Sequence, residues 1–131
     1  MKEKKAARGI SVGRLSKSFG YAIQGIRRMF RQEQNARVHL FVLLCTVIAG
    51  CCFRISAAEW MAVVIAGGCV MAAEAFNTSV EALSDLVSPE YSEGIRRVKD
   101  FAAGAVLLVS IAAAITGMII FVPEIMALFR T

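Results

Sequence analysis

The chain has 131 residues, which is enough for one domain, and its apolar content of 57% with a mean hydropathy of +0.62 is too high for a water-soluble fold of this size. The net charge is +5, and ten of the fifteen lysines and arginines precede Val38. Such a basic region suits nucleic acid or an anionic membrane surface, but the long apolar runs that follow favour the membrane. We therefore expect an all-α integral membrane protein with no nucleic-acid partner.

The N-terminal region predicts a tail followed by a surface helix. Residues 1–13 are charged, small and aperiodic, which predicts disorder. From Leu15 to Met29 apolar residues recur at helical spacing beside basic ones, which predicts an amphipathic helix over about 14–35 in the membrane interface. Its basic side chains favour the anionic cytoplasmic leaflet, each contributing roughly 1 kcal/mol near the surface.

Three apolar segments follow, and each is compared with the roughly 20 residues that a helix needs to cross the hydrocarbon. They predict membrane spans at about 37–55, 57–87 and 100–122, the last of which runs up to Pro123. Basic residues are concentrated before the first span and between the second and third. The positive-inside rule therefore predicts a multi-pass protein with a cytoplasmic N-terminus.

Four polar residues interrupt the second apolar segment at steps of three, four and four, namely Glu74, Asn77, Glu81 and Asp85. On an α-helix these steps return to one face, so the four form a stripe that rises about 16 Å, with Glu74 deepest in the membrane. A carboxylate inside a bilayer costs at least a few kcal/mol, and such residues are functional candidates by default. The structural alternative is a stripe that only bonds helices together through Asn77 and Thr78.

A deep and a shallow carboxylate at a membrane boundary suit phosphoryl transfer to a lipid hydroxyl. A desolvated Glu74 could act as a general base near neutral pH, and Glu81 could hold a hard divalent cation through oxygen. In the following connector, Lys99 would approach phosphate oxygens, and Asp100 could accept from a ribose hydroxyl or position the lysine. The basic residues of this connector are equally explained by the positive-inside rule. No phosphate-binding glycine loop is present, so a nucleotide must be held by metal and side chains.

Two other functional classes are compatible with the stripe. A small oligomeric protein that conducts protons or cations would also need intramembrane carboxylates, although residues 65–73 carry nothing ionisable to continue the path. A non-catalytic membrane subunit would use the stripe for packing alone. His39, the only histidine, is interpreted as an interfacial residue at the start of the first span rather than a ligand.

The segment EAFNTSVEALSD, from Glu74 to Asp85, resembles the small prokaryotic diacylglycerol kinases and their undecaprenol kinase relatives. The family pattern is Glu, two residues, Asn, Ser or Thr, two residues, Glu, three residues, Asp. A second match extends from Pro89-Glu90-Tyr91 to Lys99-Asp100 and the AAGAVL that follows. Together with Gly20-Tyr21, Glu33 and the three spans, the resemblance covers about residues 14–121.

The resemblance implies an ATP- and Mg2+-dependent lipid kinase of the bacterial plasma membrane, with residues 14–131 as its single domain. It implies a homotrimer that phosphorylates the primary hydroxyl of diacylglycerol or undecaprenol. Residues 86–89 and AAGAVL are more similar to the undecaprenol branch. The choice between the two substrates stays open at this stage.

The resemblance also implies roles for individual residues. Glu74 is the implied general base, Asn77 helps to orient the site, and Asp85 has a supporting role. Glu33 and Glu81 are the implied magnesium ligands. Ser92 stands where many family members have histidine. The implied nucleotide contacts are Arg14, Tyr21, Glu33, Glu81, Glu90, Tyr91, Ser92, Lys99 and Asp100.

Overall fold

The computed structural model describes residues 11–130, and this part of the chain contains four helices and no strand. The helices are α1 (Val12–Gln32), α2 (Gln34–Phe53), α3 (Ala57–Val87) and α4 (Glu93–Leu128). The last three are long and apolar enough to cross a membrane. The prediction of an all-α membrane protein with three spanning helices is therefore confirmed. Disorder was predicted for residues 1–13, and residues 1–10 of that tail lie outside the described range.

Helix α1 begins two residues earlier than the predicted surface helix. The carbonyl oxygen of Ser11 accepts hydrogen bonds from the amides of Arg14 and Leu15, each at 3.0 Å, so Val12 and Gly13 belong to the first turn rather than to the tail. Met29 is the buried residue of this helix, while apolar side chains such as Phe19 stay exposed to the surroundings of the single chain. An exposed apolar face beside basic residues is the pattern of a helix that lies on lipid.

A single non-helical residue, Glu33, separates α1 from α2. Its backbone is extended, with φ −98° and ψ 119°, although its amide still donates to the carbonyl oxygen of Met29 at 2.8 Å. The predicted end of the surface helix near residue 35 was wrong, because no glycine or proline marks this break in the sequence. The break leaves Glu33 at the point where the chain turns from the surface helix into the first span.

Helices α2 and α3 form a hairpin with a short connection. Arg54 ends α2 in the left-handed conformation, with φ 53° and ψ 48°. Ser56 then starts α3 with a capping box: its hydroxyl accepts from the Glu59 amide at 3.3 Å, and the Glu59 carboxylate accepts from the Ser56 amide at 2.7 Å. Beside this hairpin the buried side chains Ile55, Val63 and Ile120 form an apolar cluster that joins α3 to α4.

Helix α4 is longer at both ends than the predicted third span. It begins at Glu93, so Lys99 and Asp100 lie in its first turns and not in a loop, and the connector from α3 shrinks to residues 88–92. At the other end Pro123 does not stop the helix, which continues to Leu128. Helices that span membranes tolerate proline, because neighbouring groups and local adjustments satisfy the backbone carbonyl that it leaves free.

Helix α2 packs tightly against α3 where Gly50 faces Trp60. A Cβ added to Gly50 would lie 2.9 Å from the indole Cη2, whereas a Cβ on Gly68 of α3 would meet nothing within 4 Å. We expect Gly50→Ala to lower the free energy of unfolding by about 1–3 kcal/mol relative to Gly68→Ala, because overpacking forces a rigid ring to move. Thermal unfolding of both variants in the same detergent measures the difference. Equal stability of the two variants would show that the hairpin can absorb the methyl group.

Candidate active site

The polar stripe lies on one face of α3, as its spacing predicts. The amide nitrogen Nδ2 of Asn77 donates to Oε1 of Glu81 at 2.9 Å, a bond between residues one helical turn apart. Glu74 is only 2% exposed and Asn77 8%, whereas Glu81 is half-buried and Asp85 is exposed. The stripe therefore changes from a protected carboxylate to a solvent-facing one along α3.

The Glu74 carboxylate is the most enclosed polar group of the described chain, and side chains from two other segments approach it. Its Oε1 lies 3.1 Å from Nε2 of His39 on α2, but the contact is not aligned as a hydrogen bond, so this oxygen has no hydrogen-bond partner among residues 11–130. Glu33, from the break between α1 and α2, and Glu81 are both near enough to repel its charge. His39 thus contacts Glu74, and two further carboxylates act on it through their charge.

His39 is the residue whose position the sequence interpretation missed. It is about three-quarters buried, with 26% exposure, and contacts the Glu74 carboxylate, a contact that the interpretation as an interfacial residue did not include. The signal was present, because ionisable residues inside apolar spans are rare and usually functional. His39 lies near the start of α2, where an interfacial residue is also expected, so the sequence alone did not indicate its contact with Glu74.

An apolar cavity of about 350 Å³ opens between α2, α3 and α4 beside His39. His39 and Met71 line it, and so does Ser110 of α4, whose hydroxyl oxygen is buried without a hydrogen-bond partner in the described chain. Apart from a few hydroxyl groups its walls are aliphatic. The cavity reaches Glu74 through His39, which lines the cavity and contacts the unsatisfied carboxylate oxygen.

A second cavity, of about 330 Å³, lies where α3 ends and α4 begins. Its walls include five of the predicted nucleotide contacts: Glu90, Tyr91, Ser92, Lys99 and Asp100. Asp85 of the stripe lines the same cavity. The Lys99 ammonium forms an ion pair with the Asp85 carboxylate, which links the two helices. Arg96 Nε lies 3.8 Å from Asp100 Oδ2, so this second cavity combines two cations with several acceptors.

Four predicted nucleotide contacts line neither cavity, namely Arg14, Tyr21, Glu33 and Glu81. Arg14 and Tyr21 both lie on α1 with exposed side chains, Tyr21 being 69% exposed. Glu33 and Glu81, the predicted metal ligands, are each near enough to Glu74 for their charges to act on it. Within residues 11–130 no group of three or more His, Cys, Asp or Glu side chains could hold a metal ion. Two carboxylates without a third ligand fit Mg2+, which usually keeps several waters and binds one or two carboxylates together with substrate phosphates.

The model of the prokaryotic diacylglycerol kinase family matches residues 20–121. The chain belongs to this family. It is a lipid kinase, and the enzymes of this class carry out nucleotide-dependent phosphoryl transfer to a lipid in the membrane. The match includes the whole stripe and the second cavity.

Curated members of the family are similar to this chain over most of its length. The undecaprenol kinase of Bacillus subtilis is 32% identical over 114 residues, which cover 87% of this chain and 93% of that protein. The diacylglycerol kinase of Synechocystis is 35% identical over 112 residues, covering 85% of this chain and 64% of that longer protein. The diacylglycerol kinase of Escherichia coli K12 is 31% identical over 107 residues, covering 82% and 88%.

A buried carboxylate with an unsatisfied oxygen should cost this lipid kinase stability. We expect Glu74→Leu to raise the free energy of unfolding by about 1 kcal/mol or more, because it removes the desolvated charge and its repulsion by Glu33 and Glu81. Denaturant unfolding in detergent measures the change. The control is Asp85→Asn at the exposed end of the stripe, where the loss of a surface ion pair should change stability by less than about 1 kcal/mol. A less stable Glu74→Leu protein would contradict the prediction.

Proposed function

We propose that this lipid kinase transfers the γ-phosphoryl group of ATP, bound with Mg2+, to the primary hydroxyl of diacylglycerol or undecaprenol. The single observation that supports it most is the unsatisfied Oε1 of a 2% exposed carboxylate, Glu74, beside an apolar cavity. A buried polar atom without a partner needs an explanation, and catalytic use is one of the few that apply.

Glu74 is the general base in this proposal. A lipid hydroxyl that enters from the apolar cavity can donate its hydrogen bond to Oε1, the oxygen that nothing in the described chain satisfies. The hydroxyl proton then moves to the carboxylate as the lipid oxygen attacks phosphorus. Asn77 holds Glu81 through its amide and so keeps the neighbouring carboxylate in place.

Glu33 and Glu81 are the residues that would hold the magnesium ion of the nucleotide. Both carboxylates act on Glu74 through their charge but lie on different elements, the break after α1 and the face of α3. A magnesium ion held there would supply charge neutralisation for the phosphates, a large part of what phosphoryl transfer requires. The helical break at Glu33 supports this role, because it turns a surface residue towards the stripe.

The nucleotide itself occupies the second cavity. Lys99 supplies a positive point charge for phosphate oxygens, and Asp85 holds that ammonium group in the absence of nucleotide. Glu90, Tyr91, Ser92 and Asp100 offer acceptors and an aromatic face around the same space. Ser92 has a hydroxyl group where many family members have histidine, so contact with the adenine base of ATP relies more on Tyr91.

The reaction takes place at the cytoplasmic face of the bacterial plasma membrane. The distribution of lysine and arginine supports this orientation, because the N-terminal region and the start of α4 carry most of the basic residues. The enzyme works as a homotrimer. Tyr21 and Arg14 line neither cavity of their own chain, and a neighbouring copy would bring such α1 residues to the site.

The first test is phosphate transfer from labelled ATP to diacylglycerol and to undecaprenol, measured in parallel in one detergent. We expect Glu74→Gln to lower kcat by about 10²–10⁴-fold with little change in the KM for ATP, because only the proton acceptor is lost. Glu81→Gln should raise the Mg2+ concentration needed for half-maximal rate. The matched control is Glu124→Gln, near the far end of α4, which should behave as wild type. Full activity in both site variants would exclude the proposal, and the relative rates on the two lipids identify the substrate.

The second test concerns the nucleotide cavity. Lys99→Ala should raise the KM for ATP by about 10-fold or more, since a charge-assisted contact to phosphate contributes roughly 1.5–3 kcal/mol. Arg97→Ala, an exposed residue of the same helical turn that does not line the cavity, is the control for a general loss of positive charge. Steady-state kinetics at saturating lipid separate the two. Equal effects of both variants would mean that Lys99 contributes only to the overall charge.

A further inference from the structure

His39 has no role in the proposed mechanism, although it is the nearest ionisable side chain to the base. Its Nε2 lies 3.1 Å from Oε1 of Glu74, and it contacts this residue from another helix. The two side chains differ in access to the surroundings: His39 is 26% exposed and lines the apolar cavity, while Glu74 is 2% exposed. His39 is therefore the more accessible of the two side chains, and it lies between the Glu74 carboxylate and the cavity.

A general base that gains a proton in each turnover must lose it before the next. Glu74 is too enclosed to exchange directly with water. The groups around it leave few other acceptors: the Asn77 amide donates to Glu81 and cannot be protonated near neutral pH, and Glu33 and Glu81 are the proposed magnesium ligands. From α4 the cavity presents hydroxyl groups, Ser110 and Thr116, which do not titrate near neutral pH.

We propose that His39 is a positioning residue that acts through Glu74, holding the carboxylate in place and accepting its proton after each transfer. The idea builds on the proposed function, in which Glu74 is the base. An imidazole is suited to this task because one ring nitrogen can accept a proton while the other releases one.

The step balances as follows. The lipid O–H bond breaks and its proton joins Glu74, while the lipid oxygen forms a bond to the γ-phosphorus and the bond from that phosphorus to the leaving oxygen of ADP breaks. The proton then moves from Oε1 to Nε2 of a neutral His39, and the resulting imidazolium releases it from its other nitrogen to water. The products are phosphorylated lipid, ADP and one proton, and both side chains return to their initial states.

The close contact without hydrogen-bond alignment fits such a role. A purely structural ion pair would be expected to align its donor with the acceptor, because a misaligned pair in an apolar setting leaves part of the desolvation cost uncompensated. Here the carboxylate oxygen stays free to accept from a lipid hydroxyl, and Nε2 lies within 3.1 Å to take the proton afterwards.

The test uses His39→Ala in the full-length enzyme, with and without added azoles. We expect kcat to fall by about 10–100-fold while the KM values for ATP and lipid stay within about twofold, because the proton path is lost but binding is not. Imidazole should restore much of the rate by entering the adjacent cavity. Pyrazole has nearly the same shape but is a far weaker base, so it should restore little. If His39 only fills space, imidazole and pyrazole should restore the rate of His39→Ala equally.

Three results overturn the inference: an unchanged kcat in His39→Ala, equal restoration by the two azoles, and restoration by neither. If His39→Ala is not recovered folded, His39→Gln decides, because glutamine can hold the carboxylate but cannot take its proton. A lowered kcat with unchanged KM values then supports the relay, and a wild-type kcat excludes it. Wild type and Glu74→Gln are measured alongside. Wild-type activity that depends on Glu74 but not on His39 refutes this inference alone, whereas full activity of Glu74→Gln refutes the proposed function.

Discussion

The burial of one carboxylate in an apolar helix bundle is the constraint on which the rest of this structure depends. Glu74 cannot be solvated by lipid, so the surrounding chain must supply polar groups, and His39 does so from α2. Glu33, from the break before α2, and Glu81 instead add charges that repel it. The unsatisfied oxygen that remains is a cost to the fold and an opportunity for a substrate.

The structure separates two kinds of chemistry along α3. The deep end of the stripe contacts His39, which lines the apolar cavity proposed to admit the lipid. The shallow end, Asp85, faces Lys99 and a polar cavity that suits phosphates. Glu81 lies between the two ends and accepts a hydrogen bond from Asn77, so the proposed metal position falls between the proposed lipid and nucleotide positions. In this proposal one helical face orders the reactants from apolar to polar.

Much of this could be predicted from sequence because it depends on periodicity. The stripe is an intrahelical pattern, and the long apolar segments identify the spanning helices without knowledge of their neighbours. The parts that sequence could not predict depend on tertiary structure. The break at Glu33 has no glycine or proline to announce it, and the contact between His39 and Glu74 joins two helices. The extension of α4 back to Glu93 and onward past Pro123 likewise requires neighbours that satisfy the backbone.

The ion pair between Asp85 and Lys99 has a geometrical counterpart at the other end of the same two helices. There Val63 of α3 packs in one cluster with Ile120 of α4. Twenty-two residues separate Val63 from Asp85 and twenty-one separate Lys99 from Ile120, which correspond to nearly equal lengths of about 32 Å. The apolar contact and the ion pair therefore hold the two antiparallel helices in one register from both ends. Their spacing is close to the thickness of a bilayer's hydrocarbon core, about 30 Å. The apolar contact is the firmer of the two, since an exposed ion pair contributes little to stability.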